Sequence, residues 1–181
     1  MRFCFLFITL ILCSFQSENK ILFRDSALLV WDDFNGKPNN GSPYKALTET
    51  QTTIDIKTKG DEAFVTIQNF FDKSLSWTKD KNNNNLLGHE QTHFNISELW
   101  TRKFRQKLKG KTFQIKSFQK ELNAMHSEIH KEAKIMQTEY DKETEHSVNE
   151  ANQQKWNKKI SNELQKLHDF SSVEVSCKLS K

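Results

Sequence analysis

His89 and His93 stand four residues apart with Glu90 between them, in the run His89-Glu90-Gln91-Thr92-His93. Residues four apart on a helix share a face, so both imidazoles can reach one ion. Neutral imidazole nitrogens suit zinc, and a catalytic zinc keeps one coordination position open for water. Glu90, adjacent to His89, can reach that water without binding the metal. It would take the water's proton as general base and later deliver it to a leaving amine. Two solvated histidines on a polar helix would show the same five residues. Here Leu86 and Leu87 before the run, with Phe94 and Leu99 after it, supply a packing face. Asn82 to Asn85 can cap the helix start, since Asn is a good N-cap residue.

A third protein ligand is required, and His126, His130, His146 and His168 supply the remaining imidazoles. His126 and His130 are also four apart but flank an apolar stripe with no Glu at the second position, so they read as solvated helix surface. His168 falls in the last turn of a helical pattern, where a cation suits the helix dipole. His146 closes Tyr140-Asp141-Lys142-Glu143-Thr144-Glu145-His146, where carboxylates, a phenol and a hydroxyl crowd one imidazole. A ligating His usually donates its second ring N–H to such groups. Asp141 and Glu143 are the alternative third ligands. Tyr140 fits two roles equally: a hydrogen-bond donor to a developing oxyanion, or a core residue continuing the helix stripe.

These residues resemble a bacterial family of predicted secreted zinc-dependent proteases of zincin type. The resemblance runs from Trp31 to Trp156. It is carried by Trp31-Asp32-Asp33-Phe34-Asn35-Gly36, by Leu87-Gly88-His89-Glu90-Gln91-Thr92-His93-Phe94-Asn95-Ile96 with Arg102, by Tyr140-Asp141 with Glu143-Thr144 and His146, and by Asn152-Gln153-Gln154 with Trp156. It implies a signal peptide, a zincin-like site and His146 as third zinc ligand. Ser147 stands where that pattern has Gly. The family's activity is inferred from its motif, so the resemblance implies a reaction class and no substrate.

Around the motif the elements read as α+β: a small N-terminal antiparallel sheet, then a helical zincin-like half. Thr50 to Thr58 alternates, and Ala63 to Phe71 is a second strand, joined by a turn at Lys59-Gly60-Asp61-Glu62. Leu86 to Leu108 reads as a helix stopped near Gly110. Ile115, Phe118, Leu122, Met125, Ile129 and Met136 form one apolar stripe on a long helix. A third helix runs from about Asn149 to His168, and residues 172–179 alternate as an edge strand. This makes 18–181 one domain, β-rich over 21–73 and helical over 86–168.

Residues 1–17 read as a signal peptide: Met1-Arg2, the apolar run Phe3 to Phe15, and a polar exit. That run is shorter than the roughly 20 residues a membrane span needs. The expected location is therefore secreted, periplasmic or cell envelope. Membrane association is expected only if Cys13 is lipidated. The chain has 181 residues and a formal charge of +4, with Lys interleaved among acidic residues, which argues against a nucleic-acid partner. A monomer acting on a peptide or protein is the expectation. Its rivals are a non-catalytic envelope module with a structural metal, and a helical adaptor that leaves the stripe from Ile115 to Met136 exposed.

Overall fold

The computed structural model describes residues 19–181, so the signal peptide expected at 1–17, with Cys4 and Cys13, lies outside the described residues. The architecture is mixed α+β. Strand β1 (Lys20–Leu22) is followed by a 3-10 turn at Trp31–Asp33, then β2 (Ala46–Leu47), β3 (Thr50–Lys59), β4 (Glu62–Asp72) and β5 (Trp77–Thr78). Helix α1 (Asn84–Leu108), β6 (Thr112–Gln114), α2 (Phe118–Thr144), α3 (Glu150–Lys166) and β7 (Glu174–Ser180) complete the order. No helix among the described residues is long and apolar enough to cross a membrane.

β3 and β4 form an antiparallel hairpin in which Thr50 pairs with Phe71 and Lys59 with Glu62. Gly60 takes the left-handed φ of 65° that the tight turn requires. Alternation on β4 buries Ala63, Val65, Ile67, Asn69 and Phe71, the face that α1 covers. The other edge of β4 is shared: β7 pairs with Glu62–Thr66 and β1 with Phe70–Asp72. β7 in turn pairs in parallel with β6. The alternating segment near the C-terminus is thus interior to the sheet, not an edge strand, because β6 covers its second side. β6 itself carries no signal beyond one apolar residue, Phe113, now fully buried.

α1 starts where Asn83 caps it, its side chain accepting from Leu86 N at 2.9 Å. It runs through the middle of the molecule, between the sheet, α2 and α3. The stripe on α2 packs inward: Phe118, Leu122 and Ile129 are buried with Phe104 and Leu108 of α1. That removes the exposed stripe the adaptor reading needs. Ile115, expected on the same helix, precedes it and is 52% exposed, because the chain is still leaving β6 there.

The Trp31–Gly36 run is structural. Trp31 and Phe34 are buried against Phe71. Asp33 pairs with Lys73 at 3.0 Å. Gly36 passes so close to the chain that a Cβ would lie 2.7 Å from Ser76 O. Arg105 fills the gap on β4 between β7 and β1. Its guanidinium donates to Ile67 O (3.1 and 2.7 Å), Phe170 O (3.0 Å) and Glu98 Oε1 (2.8 Å). Burial pushes the Glu98 carboxyl up, and Arg105 and Arg102 pull it part of the way back.

Candidate metal centre

His89, Glu90 and His93 lie on α1. Asp141 lies in the last turn of α2, which crosses α1 in the opposite direction and brings its C-terminal half over the histidines. His89 Nε2 and His93 Nε2 are 3.1 Å apart, and Asp141 Oδ1 is 3.1 Å from the first and 2.9 Å from the second. Together they form a cluster that could hold a metal ion.

The outer nitrogens of both rings are held by glutamines. Gln153 donates its amide N–H to Asn157 Oδ1 (2.7 Å) and to the Tyr140 hydroxyl, which turns its Oε1 to His89 Nδ1 at 2.9 Å. Gln137 donates to His93 O (2.9 Å), which turns its Oε1 to His93 Nδ1 at 2.5 Å. Each Nδ1 therefore carries a proton, and in the neutral ring each Nε2 keeps a lone pair. Two such lone pairs and a carboxylate oxygen then face one point. Acceptors repel at that spacing unless protons or a cation stand between them. The donor set therefore fits a divalent ion of borderline softness.

In the absence of an ion, protons take that place between the acceptors. Burial alone would lower the His93 pKa. The hydrogen bond to Asp141 and the charges of Glu90 and Asp141 outweigh it, and the imidazole sits above its ordinary value. Burial would raise Asp141, but hydrogen bonds from His89 and His93 and their charges hold its carboxyl far below the usual range.

Glu90 is 3% exposed, and its Oε2 accepts from Thr48 Oγ1 at 2.7 Å. It lines, with His89, His93 and Asp141, a cleft of about 1330 Å³ bounded by residues 43–52, α1 and α2. Tyr140 is fully buried and stacks on the His89 ring at 4.6 Å. Its hydroxyl donates to His89 O at 3.3 Å and accepts from Gln153. Burial pushes its pKa well up. These surroundings suit the packing role of Tyr140, behind the ligands.

His146 is placed beside the cluster and not within it. Its Nδ1 is 3.5 Å from Asp141 Oδ1, and its ring lies 4.9 Å from that of Tyr44. It sits in a turn where Glu145, His146 and Ser147 all have left-handed φ, at 51°, 52° and 79°. Ser147 is thus a side-chain-bearing residue in a backbone conformation that favours glycine, which strains the turn. Glu143 turns away, accepting from Trp156 Nε1 at 2.7 Å. His126 and His130 line the same cleft. His168 lies outside it, in the short 3-10 turn after α3.

Sequence reasoning missed Gln137 and Thr48. Gln137 precedes Asp141 by one helical turn, so a polar pair on an otherwise apolar face was its signal. Thr48 had none.

A family model described as bacterial protein of unknown function (DUF922) matches residues 34–147, from the buried Phe34 through α1 to the turn at His146. No curated protein and no solved structure matches the chain.

Proposed function

We propose, for a chain that belongs to this bacterial family of unknown function, that it is a zinc-dependent peptidase working at the cell envelope or outside the cell. The observation that carries the reading is the convergence of His89 Nε2, His93 Nε2 and Asp141 Oδ1 in a cleft that also presents Glu90. Two imidazoles and one carboxylate are the donor set of a catalytic zinc with one position open. Zinc held there lowers the pKa of a bound water to about 7 and polarises the carbonyl to be attacked.

The chain's own groups do the rest. Thr48 holds Glu90 Oε2, so Oε1 is the free acceptor. There Glu90 takes the proton of the attacking water and passes it to the amide nitrogen as the C–N bond breaks. Gln137 and Gln153 fix the tautomer of both rings and aim each Nε2 at the site.

The test is metal content. The purified chain should hold about one zinc after reconstitution and dialysis. Asp141→Ala and His93→Ala should lose it, and His146→Ala should keep it. Retention in Asp141→Ala with loss in His146→Ala would move the third ligand to His146, as the resemblance implies. Gln153→Leu probes the outer layer. Losing such a partner typically costs about 10–100-fold in metal affinity, and competition against a chromophoric chelator reads it directly. Unchanged affinity would remove Gln153 from the site.

One observation favours a second reading. With His146 Nδ1 only 3.5 Å from Asp141 Oδ1, a small movement of that turn would supply a fourth ligand. A closed four-ligand site is a structural zinc, and the chain would then be a non-catalytic envelope module. Loss of zinc in both Asp141→Ala and His146→Ala, without hydrolysis of any peptide, would establish it.

A further inference from the structure

This inference rests on the peptidase reading and concerns the cleft beyond the metal cluster. Glu90, His93, Ser97, Trp100 and Phe104 recur along α1 at three- and four-residue steps, and all line the cleft. Its floor is therefore one face of that helix. β3 and the residues before it form a wall. Thr48 meets Glu90 at one end, while Ile54 and Ile56 pack in the same cluster as Phe104 at the other. The strand path and the helix path between those contacts are each roughly 20 Å. Strand and helix thus run side by side in one direction, and the cleft is a channel between them, walled by residues 43–52.

We infer that this channel takes an extended polypeptide, and that the partly buried Trp100, with Ile129 and Ala133 of α2, selects a large apolar side chain about three residues from the bond cut. Trp100 lies seven positions beyond His93, about 10 Å along the helix, and an extended chain advances about 3.3 Å per residue. Two observations favour a polypeptide over a small amide or an acyl chain. The cleft, at about 1330 Å³, exceeds the roughly 300–1,000 Å³ of small-molecule pockets. Across the metal cluster, the exposed Tyr44, Leu47 and Val148 line the same cleft. Apolar surface on both sides means the occupant passes through and is cut internally.

The zinc-loaded Glu90→Gln protein is the binding reagent. Fluorescein-labelled eight-residue peptides, identical except for Phe or Ser at one scanned position, are titrated by fluorescence polarisation. Phe at one position should bind about tenfold or more tighter than Ser, as burial of its ring requires. Trp100→Ala should erase that preference. Ala133→Phe fills the same space without deleting the floor, and should reverse it. Zinc content checks that each variant is folded. Uniform affinity across all positions, or a preference unchanged in both variants, overturns the inference. The best-bound peptide is also incubated with wild type and its products weighed. Positional preference without cleavage upholds the channel and sinks the peptidase reading. Cleavage without positional preference does the reverse.

Discussion

Glu90→Gln is expected to keep zinc and lose hydrolysis, with kcat/KM falling by about 10²–10⁴-fold, the usual cost of removing a general base. Gln is nearly isosteric with Glu and can still accept from Thr48 Oγ1, the 2.7 Å contact that holds the carboxylate. The side chain is almost wholly buried, so its surroundings resist rearrangement. What changes is proton affinity: a carboxamide oxygen does not take a proton from water near neutral pH. The ligands His89, His93 and Asp141 are untouched, so metal content by atomic absorption should match wild type. Steady-state rates on any peptide the wild type cleaves supply the comparison. Equal rates would remove Glu90 from the mechanism.

Arg105→Ala is expected to cost about 3–5 kcal/mol of folding stability, the range for removing one partner of a buried ion pair. The guanidinium is 1% exposed and serves Ile67 O, Phe170 O and Glu98 Oε1 together. Its removal leaves a carboxylate and two carbonyls short of donors in a dry interior. Glu98 would retain only Arg102, whose other bonds go to Leu164 O and Asp25. For a domain of this size the loss corresponds to roughly 6–20 °C in Tm. Thermal unfolding followed by circular dichroism measures it. A shift under 2 °C would mean that water replaces the guanidinium.

The parts of the fold legible in the sequence are those whose periodicity is local. The β3–β4 hairpin reads from alternation and a Gly turn, and α1 from its cap and apolar spacing. The long helix reads from its stripe, although Ile115 extends that stripe in sequence and leaves it in space. The position of β7 was hidden, because alternation reveals a strand and says nothing of its neighbours. At the site, His89 and His93 carry a spacing rule of their own. Asp141 and His146 lie five residues apart in one polar run, and only the end of α2 decides which faces the imidazoles. Gln137 and Gln153 come from two different helices, and no local pattern links either to a histidine.

The placement of β7 also has a kinetic side. β4 meets β3 across a two-residue turn, but it meets β7 only after α1, α2 and α3 have intervened, with Glu62 opposite Lys178. Contacts so distant in sequence are slow to form, because the loop must close before they repay its entropy. The hairpin and the helices can form early, while half of one edge of β4 stays open. Phe170, which gives Arg105 one of its acceptors, lies just before β7 and arrives with it. An early chain would therefore carry the histidine pair over an unfinished floor, with a strand edge available to neighbouring molecules. Aggregation during refolding should then compete with the docking of β7, and worsen with protein concentration.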